Sequence, residues 1–200
     1  MSKRWVVERK RDGYYRQAKK AGYRSRSAYK LRQINDRYKV ISPRDRVLDL
    51  GAAPGGWLQV AKEIVGKKGV VVGVDIQSIE PIEGVTFLKG DVTSSETLKK
   101  LRLIVTKVDV VISDMSPNIT GNYSMDHAKS IDLAEKALGV AKNLLKEDGN
   151  FVVKVFQGDL FEDYLRKVTT KFRFTKAHAP KASRKTSSEI YLIGKGFKRR

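Results

Sequence analysis

The 200-residue sequence contains no cysteine. That excludes a disulfide framework, a thiolate zinc site and a cysteine nucleophile, and with the last it excludes the pyrimidine C5 chemistry that attacks the ring through a thiolate. Histidine is almost as scarce. His127 and His178 stand far apart with no ligand cluster between them, so no metal is expected and both read as surface or packing residues. No run approaches the roughly 18–20 uncharged apolar residues of a membrane span, and Met1-Ser2-Lys3-Arg4 leads into no signal-peptide core. The reading is a soluble, cytoplasmic chain, monomeric and without a membrane partner. Internal repeats and low-complexity linkers are missing too. At this length, with 40% hydrophobic residues, one compact unit with a sizeable core is expected.

Positive charge is what the sequence has in excess: 41 Lys and Arg against 22 Asp and Glu, a net charge of +19. It is unevenly placed. Residues 1–46 hold 16 basic and 4 acidic side chains, residues 166–200 hold 12 and 1, and the stretch between is slightly acidic with 13 and 17. Two basic ends around a near-neutral middle suggest a ligand-binding or catalytic core flanked by a polyanion-binding surface, with nucleic acid as the partner. Trp5, Tyr14, Tyr15, Tyr23, Tyr29 and Tyr38 lie among the N-terminal cations, where rings can stack on bases while Arg and Lys hold phosphates.

Residues 1–24 read as a basic arm or surface helix, and residues 25–200 as a single domain. Ser27, Ala28, Leu31, Ile34 and Tyr38 recur at helical spacing, which predicts a helix over 25–39 with Ser25 as N-cap. After Ser42-Pro43 short Val/Ile/Leu runs alternate with helical patterns. Strands are expected at 46–50, 70–76, 85–89, 108–113, 150–156, 172–177 and 190–194, and helices at 57–65, 95–104, 126–146 and 159–170. Asp126 reads as the N-cap of the third of these helices. Nearly continuous apolar strands between helices indicate a doubly wound α/β fold, a mostly parallel sheet of seven strands with helices on both faces. Residues 178–188 are too polar for a crossover helix, so the last two strands should pair antiparallel.

The strongest local signal is Asp49-Leu50-Gly51-Ala52-Ala53-Pro54-Gly55-Gly56-Trp57. A strand ends in an acid and a small-residue turn enters a helix, where an α/β sheet binds ligands beyond its carboxyl edge. Gly51 and Gly55 are expected to let the backbone approach that ligand. The register is not that of a dinucleotide fingerprint, because the second Gly would fall on Ala53. Asp75 closes the second strand as a partner for ribose hydroxyls, and Asp91 closes the third as an acceptor for an adenine amine. Acids at three strand ends suit a nucleoside with a cationic tail better than a pyrophosphate.

Strand four ends in Ser113-Asp114-Met115-Ser116-Pro117-Asn118, beside the same crevice. Strand five places Lys154 inside the apolar run Phe151-Val152-Val153-Lys154-Val155-Phe156, which is costly unless the ammonium is paired or functional. An antiparallel last strand brings Glu189 to the same edge, so Lys30, Asp114, Lys154 and Glu189 can converge.

At these residues the sequence resembles the FtsJ/RrmJ-type RNA ribose 2′-O-methyltransferases, over nearly its whole length. The motifs are Tyr23-Arg24-Ser25-Arg26-Ser27-Ala28-Tyr29-Lys30-Leu31, the glycine turn, Ser113 to Asn118, Val153 to Phe156 and Ser188-Glu189-Ile190-Tyr191. The resemblance implies a Rossmann-like class I methyltransferase fold and S-adenosyl-L-methionine as cofactor, leaving S-adenosyl-L-homocysteine. It also implies a catalytic tetrad of Lys30, Asp114, Lys154 and Glu189, and cofactor contacts at Gly55, Trp57, Asp75, Asp91 and Asp114, which with Asp49, Gly51 and Gly56 make up the expected cofactor site. The implied substrate is a uridine of large-subunit (23S-type) rRNA within the large ribosomal subunit; the alternative within the family is a tRNA anticodon-loop ribose.

A ribose hydroxyl is a poor nucleophile, so the enzyme must align it and take its proton. An amine held out of water near a second cation serves as such a base, which points to Lys154, with Asp114 and Glu189 orienting it and Lys30 beside it or on the target phosphate. Base N-methylation fits less well, since no Pro-aromatic pair follows Asp114. A nicotinamide oxidoreductase would leave Asp91, Lys154 and the charge without a role, and a non-catalytic RNA-binding ribosome-assembly factor would not need the tetrad.

Overall fold

A computed structural model of the chain describes residues 12–184 and 186–199; residues 1–11 of the basic N-terminal arm, Trp5 among them, lie outside them. Helix α1 (Gly13–Lys20) starts at Asp12, whose carboxylate accepts from the Tyr15 amide at 3.1 Å. Helix α2 (Ala28–Tyr38) begins three residues later than the sequence suggests. Ser27 holds the cap position without a side-chain capping bond, while the Ser25 hydroxyl lies 2.7 Å from that of Ser27 and against Gly56. A polar residue that would cap a free helix is used here to join two segments.

Seven strands then alternate with helices: β1 (Arg46–Leu50), α3 (Gly56–Val65), β2 (Val70–Asp75), β3 (Val85–Lys89), α4 (Ser95–Ile104), β4 (Val108–Ser113), α5 (Tyr123–Leu144), β5 (Leu145–Phe156), α6 (Phe161–Lys171), β6 (Phe172–His178) and β7 (Glu189–Phe197). They form one sheet in the order β3-β2-β1-β4-β5-β7-β6, parallel through β5, with β7 inserted antiparallel between β5 and β6. This is the expected Rossmann-like class I architecture, with the antiparallel final hairpin in place. The central strands are apolar on both faces because each face carries helices. One core packs Leu101, Ala137, Ala141, Tyr164 and Val168 of α4, α5 and α6 on the sheet; the other packs Ala18, Leu31, Ile34, Leu58 and Ala61 of α1, α2 and α3.

Two boundaries differ in an instructive way. Asn122, not Asp126, caps α5, accepting from the Met125 amide at 3.1 Å. Asp126 lies inside the first turn, where its carboxylate accepts from the Thr120 amide at 2.9 Å, the Gly121 amide at 3.0 Å and the Thr120 hydroxyl at 2.8 Å, knotting the loop that follows β4. Strand β3 ends at Lys89, so Asp91 lies two residues beyond it rather than closing it.

Candidate active site

The carboxyl edge of β1, β2, β4 and β5 gathers the acids and the lysines. Asp49, in β1, is fully buried and neither carboxylate oxygen has a hydrogen-bond partner. Burial, then the negative charges of Asp114 and Asp75, push its pKa well above the ordinary carboxylate range. The turn after β1 is held by its own backbone, the Gly51 and Ala52 amides donating to the Val74 carbonyl at 2.9 and 3.1 Å. Asp75 clamps it further, one oxygen accepting from the Ala53 amide at 2.9 Å and the other from the Gln77 amide at 2.8 Å.

Gly51 and Gly55 have φ of +76° and +109°, conformations that L side chains rarely adopt. Their open sides face protein as well. A Cβ on Gly51 would meet Met115 Cγ at 2.4 Å, one on Gly55 would meet Ile82 and Arg24, and one on Gly56 would meet Ser25 Oγ at 2.2 Å. Besides the expected approach of a ligand, the packing gives glycine a second reason here: three neighbouring segments close onto the turn. Arg24 is the clip: its guanidinium donates to the Glu80 carbonyl at 2.5 Å and the Pro81 carbonyl at 2.8 Å, and its amide donates to Gln59 Oε1 at 2.9 Å. Sequence reasoning passed over Arg24, as well as Met115.

The four tetrad residues meet on one face of the sheet. Antiparallel pairing sets Lys154 opposite Tyr191 and Phe156 opposite Glu189. Lys154 is 8% exposed; its Nζ donates to the Asp114 carbonyl oxygen at 2.8 Å and stands 3.1 Å from Asp114 Oδ1. Lys30 Nζ lies 2.5 Å from Glu189 Oε1, a charge contact rather than an aligned bond, since that oxygen receives no hydrogen bond. Between the two pairs stands Tyr191, fully buried, donating its hydroxyl proton to Asp114 Oδ1 at 2.7 Å, with Lys30 Nζ 5.8 Å from its ring centre. Trp57 packs against the Tyr191 ring at 5.7 Å and donates its indole N–H to the Ser27 carbonyl at 2.8 Å.

Burial alone would raise the Asp114 pKa; the charges of Lys154 and Lys30 and the hydrogen bonds from Tyr191 and Lys154 outweigh it and hold it below the ordinary value. Tyr191 goes the opposite way, pushed well above its usual value by burial and by the anions Asp114 and Glu189, so it stays a neutral donor. Tyr191 was legible in principle: two residues after Glu189 on a strand, it must share that face. Asp91 is exposed, with its pKa lowered by hydrogen bonds from the Thr93 amide and hydroxyl.

The far end of β5 is braced from α5. His127 Nδ1 lies 3.0 Å from the Phe156 carbonyl, and the Leu160 amide donates to His127 Nε2 at 3.0 Å, which assigns the ring proton to Nδ1. The Ser130 hydroxyl accepts from the Phe156 amide at 3.1 Å. Of the two readings the sequence leaves open, surface or packing, His127 takes the second, and it braces the strand that carries Lys154.

Residues 23–197 match the FtsJ-like methyltransferase family. The chain belongs to this family. Among curated relatives of this FtsJ-like methyltransferase, the ribosomal RNA large subunit methyltransferase E of Methanocella arvoryzae is 58% identical over 189 residues, 94% of this chain and 73% of that one. The protein of the same name from Methanocaldococcus jannaschii is 53% identical, covering 98% of this chain and 82% of its own. Among solved structures, a ribosomal RNA methyltransferase from Plasmodium falciparum superposes with a TM-score of 0.80 at 28% identity, over 88% of this chain and 98% of that one. Aeropyrum pernix fibrillarin, solved with natively bound S-adenosyl-L-methionine, shares the fold at a TM-score of 0.60 and 15% identity, over 86% of this chain and 75% of its own.

The FtsJ-like enzyme offers a site that suits a cationic nucleoside. Asp49 is a buried carboxyl without a partner, Asp75 and Asp114 stand beside it, and the turn of positive-φ glycines borders all three. Among the described residues no group of His, Asp or Glu could hold a metal ion, and no helix is long and apolar enough to cross a membrane.

Proposed function

We propose that this methyltransferase transfers the methyl group of S-adenosyl-L-methionine to the ribose 2′-hydroxyl of a uridine in large-subunit (23S-type) rRNA, within the large ribosomal subunit, with Lys154 as general base. The observation that carries this reading is the way Lys154 is held. An ammonium has three N–H donors; two point at Asp114, its carbonyl oxygen and Oδ1, and no third partner stands among the described residues. The third vertex of Nζ is where a hydroxyl can be met. A neutral amine could keep both bonds to Asp114 and turn its lone pair to that vertex.

When bound, the cofactor supplies a methyl already activated by a sulfonium. Asp49, Asp75, Asp91, Gly51, Gly55, Gly56 and Trp57 are assigned to hold it. Asp114 fixes Lys154 and faces the same crevice, and Tyr191 keeps Asp114 ionised and oriented by donating to it. Lys154 Nζ would take the 2′-hydroxyl proton, and holding that hydroxyl in line with the group it is to receive would matter as much as basicity. Lys30, tied to Glu189, lies beside the pair, and its proposed role is to meet the target phosphate. Lys19 and Lys20 of α1 and Lys181 and Arg184 of the β6–β7 connection are the described cations proposed to face the RNA, and Arg26 ties that connection to the start of α2 by donating to the Ala182 carbonyl. The protein is proposed to act as a cytoplasmic monomer.

The test is transfer of labelled methyl to large subunits, free large-subunit rRNA and tRNA in parallel, followed by alkaline hydrolysis. A dinucleotide resistant to alkali marks a methylated ribose. Lys154→Ala is expected to lower transfer by about 10²–10⁴-fold while cofactor binding persists. Label on a base, or full activity in the variant, overturns the assignment; label on tRNA alone moves the substrate to the anticodon-loop class.

A further inference from the structure

The α1–α3 face of the sheet carries a second cleft, at the opposite end of α2 from Lys30. Strand β6 is the edge of the sheet. Its pairing sets Phe174 opposite Lys195, Lys176 opposite Ile193 and His178 opposite Tyr191. Ile193 and Tyr191 belong to the core under α2 and α3, so Phe174, Lys176 and His178 project on that same side. There α2 ends at Tyr38, whose ring lies 6.5 Å from that of Phe174 and 5.3 Å from that of His178. Arg37, Tyr38, Arg173, Phe174, Lys195 and Gly196 line an open cleft of about 430 Å³. Phe174 is 46% exposed in it.

An edge strand is normally blunted by charge, and a half-exposed phenylalanine beside it is a liability unless something stacks on it. The charges here have one sign to spare. Arg37 lies 5.6 Å from the Tyr38 ring centre, Lys195 Nζ donates to the Tyr38 carbonyl at 2.8 Å, and Lys176 is exposed. None of these three makes an ion pair among the described residues. Arg173 is excluded from that count, because Glu147 and Asp148 already neutralise it. The acid nearest in sequence, Asp36, lines a separate pocket on the α3 side of α2. Aromatic faces flanked by unneutralised cations recognise an unpaired base and its phosphates.

We infer that this cleft is a second RNA-binding site, which takes an unpaired base of the substrate RNA on Phe174 and Tyr38, with Arg37, Lys176 and Lys195 on the adjoining phosphates. The inference rests on the proposed RNA substrate. Arg37 lies seven positions along α2 from Lys30, and Lys195 six positions along β7 from Glu189, so the cleft lies about 10–20 Å from the tetrad. A substrate that fills both presents a single-stranded nucleotide at that distance from the target ribose, which a folded rRNA domain can do.

The experiment compares retention of a large-subunit rRNA transcript on filters, over a range of salt, for wild type, Phe174→Leu, Phe174→Tyr and Arg37→Gln, with methyl transfer to the same transcript alongside. Phe174→Leu keeps an apolar side chain but no ring, and is expected to weaken RNA binding about tenfold and raise the KM for RNA, whereas Phe174→Tyr retains affinity. Arg37→Gln lowers the salt slope by about one. Phe174→Leu binding as tightly as wild type, or Phe174→Tyr losing as much as Phe174→Leu, overturns the stacking site, the former leaving a protein contact as its use. If wild type binds the transcript but methylates none of the RNAs, the proposed reaction falls, while the binding comparison still decides the cleft. If wild type binds no RNA, both fall.

Discussion

Asp114 is the residue on which the site turns. It meets Lys154 through two oxygens and Tyr191 through one, and it feels the charge of Lys30. Replacing it with Asn keeps the shape but leaves Lys154 buried without its anion, a loss of about 3–5 kcal/mol for a broken buried pair. Thermal unfolding of Asp114→Asn near neutral pH is expected about 6–20 °C below wild type, at roughly 2–4 °C per kcal/mol for a chain of this size. The pH dependence has a definite sign. The folded pKa of Asp114 is depressed, so its stabilisation is complete above the unfolded carboxylate value near ~3.9 and is lost as pH falls through the folded pKa. The gap between wild type and variant should therefore be constant from neutrality to about pH 5 and narrow below about pH 4. A gap that stays constant into strong acid would show that the pair is not what stabilises the fold. Lys154 could be picked out of the chain as a charge inside an apolar strand, and Asp114 as an acid at the end of one. Their contact could not, because it depends on which strands are neighbours.

At the scale of elements, the glycine turn binds β1, α3 and the loops after β2 and β4 into one edge. Gly51 and Gly22 share a φ of +76°, but a Cβ on Gly51 would collide with Met115, whereas nothing lies within 4 Å of one on Gly22. Both substitutions to Ala carry the left-handed backbone cost of roughly 1–2 kcal/mol. Only Gly51→Ala adds the collision, so it should unfold at a lower temperature than Gly22→Ala and lose cofactor affinity by isothermal titration. Equal melting temperatures would mean that Met115 moves aside freely. The turn was visible as a motif, and its place after the first strand was readable. The neighbours that make its glycines necessary were not, since Met115, Ile82 and the adjacent pair Arg24 and Ser25 come from three other segments. Boundaries were least legible where side chains serve tertiary contacts, as Ser25 and Asp126 do in place of capping.

Across the whole molecule, charge is the dominant feature. A net charge of +19 concentrated at the two ends of the chain acts over the length of an RNA rather than at one atom. Each phosphate contact releases a counterion, so log affinity should fall linearly with log salt. Binding of rRNA measured between about 50 and 200 mM salt should lose about 10³–10⁵-fold if six to ten phosphates are held. A flat response over that range would deny the basic ends their role. The fold brings the two ends together physically: Arg26, near the start of α2, donates to the carbonyl of Ala182 in the β6–β7 connection, and the Ala182 amide donates to Gln33 Oε1 at 3.0 Å.

The sequence by itself determined the architecture. Apolar strands alternating with helical patterns require a covered parallel sheet, a polar connection before the last strand requires antiparallel pairing, and the lack of cysteine narrows the chemistry. Only the tertiary structure decided which charges pair. Lys30 and Glu189 come from opposite ends of the chain and meet because β7 runs backwards beside β5; Tyr191 joins Asp114 by the same reversal, and Phe174 meets Tyr38 because the edge strand passes under the end of α2. Periodicity encodes which face a residue takes, but contact depends on strand order and register, which are fixed by packing between segments distant in sequence.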